Sequence, residues 1–196
     1  MTGKVHVTIG VASLGLFCLQ YPHGFEFAGS TVYPAVGLVT AAFGSYLPDI
    51  DMERTHMGSQ HKITSKVVNK VGGGHRGITH TLLVPAIIAL LMYLIGTKLY
   101  IPFITASFAN IVISGLMSIL FGVEYGYCMH IFADMFNGKG CPILWPIVRK
   151  KIPGILDLPS EGFGAWAFAV ILIFVQAGLL FTIGGLSDVI SRFIVW

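Results

Sequence analysis

Long apolar runs separated by short polar segments dominate this chain of 196 residues. A helix needs about 20 mostly apolar residues to cross the hydrocarbon core of a bilayer, and several runs approach that length. The candidate regions are residues 5–21, 31–47, 78–96, 101–136 and 163–184. Helices satisfy their own backbone hydrogen bonds in lipid, so the pattern predicts an all-α, polytopic membrane bundle with about four to five spans.

Two of these regions allow more than one interpretation. Residues 101–136 exceed a simple span and fit two pieces, one tilted helix, or a span followed by a partly buried helix that carries residues 128–136. Residues 5–19 follow a lysine like a secretory signal, but residues 20–30 lack a convincing cleavage site. We therefore expect a retained first helix and a single integral-membrane domain over residues 1–196, with an ordered loop at 138–162.

Composition supports the membrane prediction. Hydrophobic residues make up 55% of the chain and charged residues only 11%, whereas about a quarter of the residues in soluble domains are charged. The three cysteines, Cys18, Cys128 and Cys141, lack CxxC spacing and are odd in number, which favours neither a disulfide framework nor a zinc ribbon.

Basic residues cluster in two of the polar segments. By the positive-inside rule, both clusters belong to cytoplasmic loops. The clusters flank apolar spans instead of alternating with exposed aromatic residues, so we expect no direct nucleic-acid binding. Their members are Arg54, Lys62, Lys66, Lys70 and Arg76 in the first, and Arg149, Lys150 and Lys151 in the second.

A set of histidines and aspartates lies at the ends of the apolar regions. If successive spans alternate in direction, all of these residues fall on one membrane face, here the cytoplasmic one. Imidazoles and carboxylates beside a membrane are costly unless they pair, bind metal or act on a substrate. The set consists of His6, Asp49, Asp51, His75, His80, His130 and Asp134.

The two acids of the segment 48–51 (PDID) lie two residues apart on an extended or turning segment. That spacing suits a metal ligand with a supporting partner, although a helix-end turn with Asp51 as a cap is the alternative. Asp49 or Asp51 is also the candidate general base. His75 and His80 bracket a glycine at a loop-to-helix junction and are candidate ligands, and Arg76 could hold a phosphate oxygen.

His130 and Asp134 form an i, i+4 pair, which places both side chains on one face of a helix. Such a pair offers nitrogen and oxygen ligands to zinc, or forms a structural histidine–carboxylate contact. His6 is a candidate ligand because of its matching depth. Glu161 is a lower-ranked candidate, with a first-turn acid favoured by the helix dipole as the alternative. The mixed donors favour zinc or another borderline divalent metal, with manganese as the second candidate.

These motifs resemble the YdjM-type family of LexA-regulated, inner-membrane-associated proteins described as metal-dependent hydrolases. The resemblance rests on His6, the PDID at 48–51, GHRGITHT at 74–81, HIFADMF at 130–136 and GCPILWP at 140–146. The family is distantly similar to zinc-dependent phospholipase C, whose helical fold holds a His/Asp-rich zinc cluster. The resemblance implies an SOS-response protein of the bacterial or archaeal inner membrane.

By the same resemblance, the metal ligands would be Asp49 or Asp51, His75, His80, His130 and Asp134, with His6 as a ligand from the chain start. Soluble relatives carry later histidine and glutamate ligands. Here no histidine follows His130, and Glu161 is the late candidate. We therefore expect one or two ions.

The sequence thus predicts a metal-dependent phosphoester hydrolase in the lipid bilayer, with a phospholipid or lipid-linked phosphate as substrate. A metal-binding transporter or a structural stress-response membrane protein without hydrolase activity is the alternative. A transporter needs polar residues through the bilayer, whereas most polar residues here stop at one face.

Overall fold

The computed structural model of the protein describes residues 2–72, 74, 76–98, 106–137, 140–148, 151–152, 154–156, 158 and 161–184. Helices dominate this part of the chain, as predicted. They are α1 (Gly3–Gln20), α2 (Leu38–Tyr46), α3 (His56–Gln60), α4 (Lys62–Val71), α5 (Leu83–Lys98), α6 (Ala106–Asp134) and α7 (Phe163–Gly184). Short 3-10 turns cover Leu47–Asp51 and Ile78–His80.

Three described helices are long and apolar enough to cross a membrane. They are α1, the segment Phe108–Asp134 of α6, and the segment Phe163–Leu180 of α7. Helix α5 contributes a shorter apolar stretch, Leu83–Thr97. Helix α6 is continuous over 29 residues, so the fourth apolar region forms one long helix over its described part. The first and last regions match α1 and α7 closely.

The second predicted span, residues 31–47, was wrong in its extent. Its first residues belong to a hairpin in which β1 (Phe25–Phe27) pairs antiparallel with β2 (Ser30–Val32). Ala28 and Gly29 both have positive φ, as the tight two-residue turn requires. The helix that follows, α2, has nine residues and is therefore only about 14 Å long, too short to span a bilayer.

Helices α1, α2 and α6 approach one another closely through small residues. A Cβ atom at Gly126 of α6 would overlap the Ala41 carbonyl of α2, and one at Gly44 would overlap the Val123 carbonyl. Without a hydrophobic driving force between helices in lipid, such small residues permit the close backbone packing that stabilises the contact. The resulting contacts fix the level of α2 against α6.

The helix directions bring several termini to one end of the bundle. Val5 and Ile9 of α1 pack with Ala133 at the C-terminus of α6 and with Ala165 and Ala169 near the N-terminus of α7. Helix α2 runs parallel to α6 and antiparallel to α1, so the C-terminus of α2 lies at this same level. We call this end of the bundle the site end.

The start of α5 joins the site end as well. The Tyr127 hydroxyl of α6 donates a hydrogen bond to the Thr79 carbonyl, which lies in the turn before α5. Farther along, Met92 of α5 packs with Met117 of α6, so these two helices run antiparallel. The alternating directions expected from the sequence are therefore present, although α2 is too short for a full crossing.

The outer faces of the long helices are apolar. Ile111 is 67% exposed on α6 and Phe174 is 73% exposed on α7, and similar side chains surround them. Surfaces of this kind are unfavourable in water and suit contact with lipid tails. These helices therefore lie in the lipid bilayer.

Gly126→Ala tests the close approach of α2 and α6. The added methyl group must displace the Ala41 backbone, so we expect a loss of about 1–3 kcal/mol in the free energy of unfolding. Gly115→Ala is the matched control on the same helix, because a Cβ atom there would meet open space among the described residues. Denaturant titration in detergent micelles measures both variants. Equal effects of the two substitutions would contradict the packing described here.

Candidate metal centre

Histidine and aspartate side chains from four parts of the chain converge at the site end. His6 comes from α1, Asp49 from the 3-10 turn after α2, His80 from the turn before α5, and His130 and Asp134 from the end of α6. All five side chains are buried. Two groups with metal-ligand spacing result, one of His6, His130 and Asp134 and the other of Asp49, His80 and His130.

The distances between these donors suit a shared ion. His80 Nε2 lies 3.9 Å from Asp49 Oδ1 and 3.6 Å from Asp134 Oδ2. His130 Nε2 lies 3.7 Å from Asp49 Oδ1 and 3.9 Å from Asp134 Oδ2. These separations exceed ordinary hydrogen bonds. Ligand atoms around a tetrahedral zinc ion lie about 3.3 Å apart, so the cluster has the scale of a metal site in a slightly open form.

His130 is oriented by a backbone carbonyl. Its Nδ1 lies 2.7 Å from the carbonyl oxygen of Ser45, at the end of α2. A carbonyl oxygen only accepts hydrogen bonds, so Nδ1 carries a proton, and in the neutral imidazole Nε2 keeps its lone pair. Nε2 is buried and has no hydrogen-bond partner among the described residues. A ligand nitrogen is thereby pointed into the cluster.

His80 is oriented by a threonine and a carboxylate. The Thr79 hydroxyl donates to Asp51 Oδ2 at 2.6 Å and lies 3.1 Å from His80 Nδ1. Since the hydroxyl proton is directed to Asp51, its oxygen can accept from the imidazole Nδ1–H. The Nε2 lone pair then faces Asp49 and Asp134, as in histidine ligands held by an outer carboxylate.

The two acids of the 48–51 segment therefore have different positions. Asp49 Oδ1 faces the Nε2 atoms of both histidines, as the distances above show. Asp51 Oδ2 lies 3.5 Å from His80 Nδ1 and accepts a hydrogen bond from the Arg76 backbone N–H at 3.0 Å. Asp51 thus lies behind His80 and outside both groups with metal-ligand spacing.

His6 contacts the opposite side of the cluster. Its ring stacks on that of His130 with centroids 3.7 Å apart. Its Nε2 lies 3.3 Å from Asp134 Oδ1, whereas His80 and His130 approach the other oxygen of the same carboxylate. Its buried Nδ1 has no hydrogen-bond partner in the described part of the chain. His6 therefore holds Asp134 from the α1 side.

Arg76 is buried next to Asp134, only 4% exposed, with Nη2 2.7 Å from Asp134 Oδ2. Its Nη1 donates a hydrogen bond to the Gly140 carbonyl at 3.4 Å. Its φ of 57° is unusual for a residue other than glycine, and the hydrogen bond from its backbone N–H to Asp51 stabilises it. The guanidinium therefore balances part of the negative charge from within the protein.

The remaining predicted residues lie elsewhere. His75 lies outside the described residues. Glu161 is exposed before α7 and lines a cavity of about 430 Å³, apart from both groups with metal-ligand spacing. The three cysteines are free thiols, and Cys141 is buried. Burial, followed by the nearby Asp134 carboxylate, raises the pKa of the Cys141 thiol to about 11, so it is protonated at neutral pH.

Several residues that support the cluster have no obvious signal in the sequence. Ser45 contributes a backbone carbonyl, which any residue carries. Thr79 lies inside the 74–81 motif and could be found there as a neighbour of His80. Tyr127 donates to the Thr79 carbonyl, and Asn69 donates to the Asp51 carbonyl at 2.8 Å. Both act across more than ten residues of chain, beyond the reach of local patterns.

Arg76→Ala tests the buried ion pair. Removal of the guanidinium leaves the Asp134 carboxylate without its cationic partner, so we expect a loss of about 3 kcal/mol or more in the free energy of unfolding. Arg54→Ala removes an exposed arginine and should change that free energy by less than about 0.5 kcal/mol. Denaturant titration of metal-free protein in detergent measures both. Equal stability of Arg76→Ala and the parent protein would exclude the pair as a stabilising contact.

Comparisons with known proteins agree with a membrane protein. The profile of the family described as YdjM inner membrane protein matches residues 1–189. Inner membrane protein YdjM of Escherichia coli (strain K12) is 33% identical over 131 residues, which cover 66% of this chain and 58% of the relative, and that of Shigella flexneri gives the same values. The aligned region is thus less than two thirds of the relatives' length. No solved structure matches the chain. The chain belongs to the YdjM family of inner membrane proteins.

Proposed function

We propose that this membrane protein is a metal-dependent phosphoester hydrolase in which His80, His130 and Asp134 hold one divalent ion. This trio takes members from both groups with metal-ligand spacing, because the Nε2 atoms of both histidines approach the same Asp134 oxygen, at 3.6 and 3.9 Å. The observation that carries this proposal is a cluster of buried carboxylates whose charge faces the unprotonated nitrogens of two oriented imidazoles. The donors come from separate elements of the fold, and their hydrogen-bond partners hold them in place before any ion binds.

The charge balance of the cluster favours a divalent cation. Among the described residues of the site end, Asp49, Asp51 and Asp134 are buried carboxylates, whereas Arg76 is the buried guanidinium. Among these four side chains, the carboxylates outnumber the guanidinium by three to one. A divalent cation at the point where the donors converge adds positive charge to this acidic cluster.

The donor set favours a single zinc or manganese ion. Mixed imidazole and carboxylate ligands suit such borderline metals. Both groups with metal-ligand spacing include His130, whose Nδ1 is directed to the Ser45 carbonyl. Only its Nε2 can therefore serve as a ligand, and it can serve one ion. Three protein ligands leave a coordination position open, as in catalytic zinc sites.

The cluster also contains groups suited to proton transfer and charge stabilisation. When bound, the ion supplies Lewis-acid activation of water and of a phosphoryl oxygen. Asp49 is the most exposed acid of the cluster, at 7%, and is our candidate for the general base that takes the proton of the attacking water. Arg76 Nε makes no hydrogen bond within the described chain, and it is our candidate for stabilising charge on a phosphoryl oxygen.

The position of the cluster favours a lipid substrate. The site end lies at the termini of the spanning helices, at the level where phospholipid headgroups meet the protein. Arg54, Lys62, Lys66 and Lys70 lie in the segment that follows the 3-10 turn of Asp49, so the positive-inside rule assigns this end to the cytoplasm. We therefore propose a phospholipid or lipid-linked phosphate as the substrate.

A structural metal site is the second candidate, because burial favours it. His80 and His130 are fully buried and Asp134 nearly so. Structural zinc sites are closed and use four protein ligands. Asp49 would then be the fourth ligand instead of the general base.

Metal content and hydrolase activity distinguish a catalytic metal site from a structural one. Both are measured in variants of the proposed ligands and in a variant of the proposed general base. We expect stoichiometric zinc or manganese in the detergent-purified parent protein, and loss of the ion in His80→Ala and Asp134→Ala, measured by elemental mass spectrometry. His61→Ala is the control, since His61 is exposed. For the hydrolase, Asp49→Asn keeps the ion while the rate of lipid-phosphate hydrolysis falls by about 10²–10⁴-fold, as for loss of a general base.

The Asp49→Asn result separates the two candidates. Loss of the ion together with an inactive parent protein would identify a closed structural site. An absence of metal from well-folded parent protein, even after reconstitution with zinc or manganese, would exclude both candidates.

Asp51→Asn tests the outer carboxylate. The substitution keeps the shape of the side chain but removes the charge that orients His80 through Thr79. Loss of an outer-shell partner lowers metal affinity by about 10- to 100-fold. Competition with a chelating dye measures this affinity. An unchanged affinity in Asp51→Asn would show that His80 is held without the carboxylate.

A further inference from the structure

Helix α4 carries two adjacent rows of side chains with different chemistry. Ile63, Val67 and Val71 recur every fourth residue and are 82%, 56% and 81% exposed. The other row, one residue earlier in each turn, consists of the exposed lysines Lys62, Lys66 and Lys70. Apolar side chains of this size are unfavourable in water, and their regular spacing gives the helix a continuous apolar stripe.

The other face of α4 packs on the protein near the candidate metal centre. Ser65 is fully buried, and the Asn69 amide donates to the backbone carbonyl of Asp51 at 2.8 Å. The apolar stripe therefore points away from the protein. Because Asp51 lies at the site end, α4 lies at the level of the helix termini, where a bilayer has its headgroups. A short helix with an apolar stripe and a lysine row suits that level.

A cavity of about 450 Å³ adjoins the lysine row. Arg54 and Lys66 supply positive charge to its walls, and Glu53 supplies one negative charge. Asp51 also borders the cavity, and its Oδ2 accepts hydrogen bonds from the Arg76 backbone N–H and the Thr79 hydroxyl inside the protein. The lining residues are Asp51, Met52, Glu53, Arg54, Lys66 and Asn69.

We propose that α4 lies in the headgroup layer with its apolar stripe in lipid, and that an anionic phospholipid places its phosphate in this cavity between Arg54 and Lys66. Lys66 belongs to both the lysine row and the cavity, so a lipid whose acyl chains contact Val67 has its headgroup next to the cavity wall. This site is separate from the metal centre and does not depend on hydrolase activity.

Charge and position favour a lipid over a protein partner. The spanning helices already place the chain in a bilayer, so lipid is the nearest apolar partner for the stripe. Basic residues close to an anionic leaflet each contribute about 1 kcal/mol of attraction, which corresponds to about fivefold in affinity. The three lysines beside the stripe match the negative surface of such a leaflet.

A spin label on α4 tests the membrane contact. Val67→Cys, labelled and reconstituted in nanodiscs that contain phosphatidylglycerol, should be accessible to oxygen and protected from a water-soluble nickel chelate. Gln60→Cys is the control, because Gln60 is exposed at the end of α3 and should contact the chelate. The labelled parent protein gives the background from its native cysteines.

Lipid binding by native mass spectrometry tests the cavity. Phosphatidylglycerol should bind the detergent-purified full chain more tightly than phosphatidylcholine does. Arg54→Gln and Lys66→Gln should each weaken phosphatidylglycerol binding by about fivefold. Lys70→Gln is the matched control, since Lys70 lies in the same row but outside the cavity, and its effect should be under about twofold.

Three results would overturn the proposal. Access of the chelate to position 67 in these nanodiscs would exclude the lipid contact. Spin–spin broadening at position 67 would identify a second copy of the chain as the occupant of the stripe. Equal effects of Lys66→Gln and Lys70→Gln would show diffuse attraction without a headgroup site. Metal content should stay unchanged in the Arg54 and Lys66 variants, which separates this test from that of the metal centre.

Discussion

The Asp134 carboxylate is the group on which the arrangement of the site end depends. One of its oxygens faces His6, and the other faces Arg76, His80 and His130. A buried carboxylate is tolerated only where positive or polar partners surround it. Those partners come from α1, from the loop before α5, and from α6 itself. The requirement to surround one charge therefore brings separate segments of the chain to a common level.

Close backbone packing gives this arrangement its precision. Gly126 lets α2 approach α6 so closely that the Ser45 carbonyl at the end of α2 reaches His130 Nδ1, one turn further along α6. The tautomer of a candidate ligand is thus set by a backbone group whose position depends on a glycine. The same contact between α2 and α6 therefore determines both the close packing of these helices and the orientation of His130.

The sequence predicts the general fold well because apolar run length and bilayer thickness are directly related. It predicts the limits of α7 and the alternation of helix directions. It does not predict that residues 31–32 form a strand, since β-branched residues are equally apolar in either structure and the turn at Ala28–Gly29 is a weak signal. Nor does it separate Asp49 from Asp51, because their difference depends on Arg76 and Thr79, which are distant in sequence and adjacent only after folding.

Asp51 physically connects the candidate metal centre with helix α4. Its side chain lies beside His80, while its backbone carbonyl accepts the hydrogen bond from Asn69 of α4. A shift of α4 in the headgroup layer would therefore act on the residue that orients His80, through one backbone hydrogen bond. A chain of direct contacts is one way in which two sites are coupled, and Asp51 supplies such a contact between α4 and the buried cluster. The short 3-10 turn Leu47–Asp51 places Asp49 inside the cluster and Asp51 next to α4.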